Sequence, residues 1–148
     1  MSETQKARCL CGAVTFEAVL VDAVGACHCG TCRRWGGGPL FAINCGASVA
    51  GADETAIGTY TSSEWAERSF CKSCGSHLWY RLLPGSSFAP AGQYLVSAGL
   101  FEDQSALVFD HEVYIDGNPG WYSLAGAETR KCMTEQDIMA MVGAGGEG

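Results

Sequence analysis

Apolar and polar residues alternate in short runs along most of this chain, and glycine-rich turns separate the runs. The segment Ala13 to Val21 is β-branched and roughly alternating, which predicts a strand. Val24 to Cys27 predicts a short second strand, and Pro39 to Cys45 a buried strand stopped by Gly46. Thr55 to Thr61 reads as a strand in which Gly58 invites a bulge. Glu67 to Cys71 leads into a C-x-x-C pair and Ser76 to Leu82 leads out of it, so the pair belongs at the tip of a hairpin. Tyr94 to Leu100 and Val108 to Ile115 are further strands, Pro84 to Ala91 is loop, and Asp116-Gly117-Asn118-Pro119-Gly120 is a strong turn.

Helical patterning is sparse. Thr31 to Trp35 makes one turn closed by Gly36-Gly37-Gly38. Thr134-Glu135-Gln136-Asp137 fits a capping box, after which Ile138, Met141 and Val142 share one face of a short helix over 134–142. Ala144 to Gly148 should fray. No repeat, linker or low-complexity tract interrupts the pattern. The expectation is one mainly β domain over 1–148, with a core at about 8–121 and a short C-terminal helix.

Composition narrows the partners. The chain is 47% hydrophobic and 17% charged, enough apolar material for a packed core. Its formal net charge is -7, which disfavours nucleic acid and anionic membrane surface. The polar start, Met1 to Lys6, lacks the apolar stretch of a secretory signal, and no apolar run is long enough to span a membrane. A soluble, cytoplasmic protein with a small-molecule substrate is expected; the oligomeric state is not readable.

Nine cysteines in such a chain point to metal or redox chemistry rather than a disulfide framework. Seven fall in three clusters: Cys9-Leu10-Cys11, Cys27-His28-Cys29 with Cys32, and Cys71-Lys72-Ser73-Cys74. In C-x-C both thiols share one face of an extended chain, and C-x-x-C is the usual knuckle spacing. Gly12 and Gly75 follow the two outer pairs and free the backbone to turn its N–H groups toward sulfur. Four thiolates from Cys9, Cys11, Cys71 and Cys74 would close one structural zinc site, against disulfide, buried-core and thioredoxin-like alternatives.

Cys27, Cys29 and Cys32 then lack a fourth partner. His28 lies between two of them and points to the opposite face of extended chain, so packing suits it better than ligation. Three protein ligands and one open position are the arrangement of a catalytic zinc. Arg33 and Arg34 follow directly and could clamp a substrate carboxylate or merely balance thiolate charge. Trp35 could wall a pocket or fill the core.

These clusters together, with Cys32-Arg33-Arg34, Phe70-Cys71, Cys74-Gly75-Ser76, Ser97-Ala98-Gly99-Leu100 and His111-Glu112-Val113-Tyr114, resemble the glutathione-dependent formaldehyde-activating enzyme family, to which centromere protein V belongs. The resemblance runs from about Arg8 to Trp121. It implies coiled antiparallel β-sheets held by zinc, a fold shared with a Rab exchange-factor accessory protein. It also implies one zinc on Cys9, Cys11, Cys71 and Cys74, and a second on Cys27, Cys29 and Cys32, near which glutathione binds. The activity it implies is that of a carbon–sulfur lyase joining glutathione and formaldehyde into S-hydroxymethylglutathione. The alternatives are a non-catalytic zinc-stabilised binding module, or related thiol chemistry on another substrate. A module should close its second site with Cys45, Cys132, His28 or His111.

Overall fold

The alternation resolves, in a computed structural model describing residues 4–84 and 92–146, into short strands and two helices. In chain order these are β1 (Thr4–Arg8), β2 (Thr15–Val19), β3 (Val24–Cys27), α1 (Gly30–Gly36), β4 (Leu40–Asn44), β5 (Ile57–Thr61), β6 (Ala66–Cys71), β7 (His77–Leu82), β8 (Tyr94–Ser97), β9 (Phe109–Val113), β10 (Lys131–Met133) and α2 (Glu135–Gly146). Strands β1 and β2 pair as a small antiparallel sheet. The other eight form one sheet in the order β10-β9-β3-β4-β8-β7-β6-β5.

The fold is mainly β, as expected, but the large sheet is mixed. β9 runs parallel to both β3 and β10, while the remaining pairs are antiparallel. After β3 the chain makes its excursion through β4 to β8 and returns on the other side of β3. A parallel neighbour requires such a long connection, which no tight turn can supply. All four residues of β3 are buried, as befits a strand covered on both faces.

Several local expectations are met and several are refined. The C-x-x-C pair does sit at the tip of the β6–β7 hairpin. Gly58 carries no bulge. Instead its bare backbone admits the Phe70 ring, one carbon of which would lie 2.5 Å from an added Cβ. The register shift falls next door, between Ser69 and Phe70. The capping box forms reciprocally, with Asp137 N–H donating to Thr134 Oγ1 (3.2 Å) and Thr134 N–H donating to Asp137 Oδ2 (2.9 Å). Helix α2 extends to Gly146, beyond the expected end at 142, so residues 144–146 are helical. Ile138 is half-buried and Met141 exposed. The expected loop at Pro84 to Ala91 falls, after Pro84, outside the described residues, as do the side chain of Val142 and the last residues, 147 and 148.

Two apolar clusters result. The larger one gathers Val14, Phe16, Ile43, Leu78, Trp79, Val96 and Phe101 between the sheets. Trp79 meets Phe16 edge-on at 5.2 Å and Tyr94 at 5.5 Å. The smaller cluster is Cys27, Cys32, Leu40 and Ala42, flanked by Trp35, Tyr80, Leu95, Val113 and Tyr114. Cys9 and Cys71 belong to the first cluster, and Cys27 and Cys32 to the second. No helix of the described residues is long and apolar enough to cross a membrane.

Candidate functional site

The outer pairs meet. One comes from the turn between β1 and β2, the other from the β6–β7 tip. The sulfurs of Cys9, Cys11, Cys71 and Cys74 all lie within 4.8 Å of one another. Cys11 Sγ is 3.8 Å from both Cys9 Sγ and Cys71 Sγ. A zinc–sulfur bond of about 2.3 Å gives a tetrahedral edge of roughly that length. The four donors therefore fit a tetrahedral soft metal ion.

Gly12, at φ +85°, and Gly75, at φ +81°, bend the chain just after each pair. The bend at Gly12 lets Ala13 and Val14 donate N–H bonds to Cys11 Sγ (3.4 Å) and Cys9 Sγ (3.3 Å). Ser76 links the knuckles. Its hydroxyl accepts from Leu10 N–H (3.0 Å) and lies 3.2 Å from Cys74 Sγ. Having accepted once, it has its own hydrogen to give to the sulfur. That bond and the Ser76 N–H bring the Cys74 thiol down to about 5. Donors aimed at sulfur favour the thiolate form that binds metal.

The second group is Cys27 at the end of β3, Cys29 at the N-cap of α1, and Cys32 within it, all sulfurs again within 4.8 Å. Cys29 Sγ accepts from Cys32 N–H (3.4 Å), and Gly37, at φ +89°, ends the helix. Hydrogen bonds from the Cys27 and Cys32 thiols draw Cys29 down to about 2. The same sharing, followed by burial, pushes Cys27 far up. Three crowded sulfurs hold back one another's protons, and only a cation lets all three ionise. The set therefore fits a metal ion, yet among the described residues no fourth histidine, cysteine or carboxylate joins it.

The residues named as possible closers lie elsewhere. Cys45 packs in the other apolar cluster, where burial pushes its thiol up to about 12. Cys132 Sγ approaches the Ala127 carbonyl at 3.8 Å. His111 Nδ1 contacts Asp110 at 2.6 Å.

His28 points away from the sulfurs, as the strand geometry predicts, and is 1% exposed. Its Nδ1 meets Tyr122 Oη at 2.7 Å and its Nε2 meets Glu112 Oε1 at 2.8 Å. The other oxygen of Glu112 accepts from Arg130 Nη2 (2.6 Å) and Nε (3.0 Å). Arg130 lies over the Phe109 ring at 4.0 Å and donates to the Ala125 and Leu124 carbonyls. Burial alone would raise Glu112; the bonds from Arg130 and His28 outweigh it and hold the carboxyl below its usual value. Gly117 then packs on the His28 carbonyl, where an added Cβ would sit 2.6 Å from the oxygen. The backbone of the triplet is thus fixed from behind by a connected polar network.

Arg33 and Arg34 divide as their neighbours dictate. Arg33 Nε donates to the His28 carbonyl at 3.0 Å, a structural bond at the end of a short helix. Arg34 is exposed. Trp35 stacks on His77 at 4.4 Å and 26°. His77 begins β7 just after the Cys71–Cys74 knuckle, so this stack joins the surroundings of both cysteine groups.

The sequence reading missed Arg68, Tyr80, Tyr114, Tyr122 and Arg130. Arg68 had a signal: it stands two residues after Ala66 on the inward face of β6, where an arginine is unusual. Tyr114 takes a left-handed backbone at φ 55°, the only non-glycine with positive φ among the described residues. Burial pushes its hydroxyl up to about 12, and pushes Tyr80 well above its ordinary value. Tyr114 ends the His111 to Tyr114 motif, but nothing in the local sequence marks its place beside the triplet, and nothing marks Tyr80.

Comparison with known proteins follows the same lines. The family described as "Glutathione-dependent formaldehyde-activating enzyme" matches residues 4–117. An uncharacterized lyase of Schizosaccharomyces pombe is 35% identical over 118 residues, covering 79% of this chain and 82% of that protein. A Halomonas elongata protein, provisionally named a glutathione-dependent formaldehyde-activating enzyme, is 30% identical over 139 residues, covering 84% and 83%. A crystal structure of a Rhodobacter sphaeroides protein shares the fold, with a TM-score of 0.55, 19% identity, and coverage of 87% of this chain and 99% of that one.

Proposed function

Because this chain belongs to the glutathione-dependent formaldehyde-activating enzyme family, we propose that it joins a thiol to an aldehyde at the Cys27, Cys29 and Cys32 centre. The pair is glutathione and formaldehyde, the product S-hydroxymethylglutathione, and the class carbon–sulfur lyase. The names carried by the Halomonas and Schizosaccharomyces relatives support this choice. The observation that carries it is the difference between the two cysteine groups: one offers four sulfurs, the other three.

In this reading Cys9, Cys11, Cys71 and Cys74 hold a structural zinc, and Cys27, Cys29 and Cys32 hold the second. A zinc on the triplet supplies a soft, electron-poor position suited to a thiolate or a carbonyl oxygen. The chain supplies the rest. The thiol sulfur, its proton given up, forms the new bond to the aldehyde carbon. The C=O π pair moves to oxygen, and that oxygen takes a proton. Tyr80 and Tyr114 pack against the triplet's cluster and keep their protons at neutral pH, which makes them the candidates to give that oxygen its proton. Arg34 offers its exposed fork to a glutathione carboxylate. Arg33 adds positive charge while bound to His28, and Trp35 forms a wall.

Exchange NMR on mixtures of glutathione and formaldehyde, with and without zinc-repleted protein, tests the proposal. Exchange faster than the uncatalysed background, and lost in Cys29→Ser, is expected. Unchanged exchange would sink the formaldehyde reading.

A further inference from the structure

Arg68 is 7% exposed and needs a counter-charge. Among the described residues, the ion pairs are His28–Glu112, Arg81–Glu67, His111–Asp110 and Arg130–Glu112, none of which involves Arg68. Its guanidinium instead lies 5.0 Å from the centroids of both Trp35 and Tyr80. Nη1 donates to Cys32 Sγ at 3.6 Å, and Nε donates to Ser62 Oγ at 3.3 Å. The two rings fix the plane of the cation and keep water from it. The serine hydroxyl orients it, and a sulfur of the triplet accepts its sideways bond.

Charge gives this contact a consequence. Three thiolates around a divalent cation leave one net negative charge, and a thiolate arriving as fourth partner adds another. Without a neighbouring cation, that arrival is opposed. Arginine suits the position because its flat, weakly hydrated head can be buried between rings and still donate sideways.

We propose that Arg68 is a positioning residue that supplies the counter-charge by which the Cys27, Cys29 and Cys32 centre accepts an anionic thiol. This rests on the reading of that centre as a metal site, and the test separates the two ideas. The full chain is reconstituted with cobalt(II), whose thiolate charge-transfer bands report each site, and glutathione is then added as the probe. The wild-type chain should bind two ions, and glutathione should shift the bands of the weaker site.

Arg68→Met should keep the bands of the four-cysteine site, an internal sign of folding. It should weaken the second cobalt(II) about 10–100-fold against a competing chelator and lose the glutathione-induced shift. Arg68→Lys, which keeps the charge, should retain that shift and bind the second ion more tightly than Arg68→Met. An Arg68→Met chain identical to wild type overturns the proposal alone. So does an Arg68→Lys chain that folds and binds one ion but shows no glutathione shift, because the side chain would then matter only as filling. This second criterion decides the matter by itself if Arg68→Met does not fold. A wild-type chain that binds a single cobalt(II) overturns the second metal centre and the proposal with it.

Discussion

The two cysteine groups use similar spacings to different ends. In the four-sulfur group, each pair lies on a turn whose glycine bends backbone N–H groups inward, and the pairs come from separate sheets. In the three-sulfur group, all three cysteines come from one strand and from the cap and first turn of the helix after it. The first geometry ties distant chain together and leaves no sulfur over. The second needs no bound ion to tie it to distant chain, because strand pairing, an N-cap and the long-range His28 network already fix it. If both groups hold metal as proposed, the ion is structurally expendable at the second in a way it is not at the first.

The sharpest way to break this comparison is to remove one sulfur from each. Cys71→Ser should cost on the order of 10 kcal/mol and leave an unfolded or aggregated chain by circular dichroism. Cys29→Ser should remain folded, with zinc content falling from two ions per chain to one. Equal unfolding in both would mean that both groups are structural.

A smaller effect is expected behind the triplet. Arg130→Ala strips a buried carboxylate of its cation and should cost about 3–5 kcal/mol in urea unfolding. Glu112 is held below its ordinary value in the folded chain, so its contribution is present above the unfolded carboxyl pKa and lost as pH falls through the folded value. The gap between wild type and Arg130→Ala should therefore narrow in acid. A gap independent of pH would assign the loss to packing over Phe109 instead.

The gentlest probe is Gly117→Ala. Its methyl would meet the His28 carbonyl at 2.6 Å and Cys29 Cα at 3.3 Å. Overpacking of this kind costs about 1–3 kcal/mol, and the affinity of the second zinc should fall while the first is untouched. Metal titration that weakens both sites equally would erase the distinction between them.

The sequence pattern was enough for the strands from β2 to β9, because alternation and glycine stops are local. It was not enough for β1, whose Thr4–Arg8 run buries only Ala7, or for β10, which is three residues long. The parallel placement of β9 was hidden as well, since a crossover leaves no mark in a short window. At the site, the cysteine spacing and the outward turn of His28 were readable from backbone geometry alone. Arg33 and Arg34 drew attention by adjacency, yet the cation in contact with a sulfur is Arg68, thirty-six residues from Cys32. Contacts of that span depend on register, which a shift between Ser69 and Phe70 further disguises.

The Trp35 stack has an optical consequence. One neighbour of the indole is His77, beside the knuckle that carries Cys71 and Cys74; another is Arg68, in contact with Cys32. Imidazole and guanidinium lie close enough to an indole to alter its emission, so this single fluorophore should sense disturbance at either cysteine group. The protein carries its own lamp between its two centres, readable without a label once the other tryptophans are replaced.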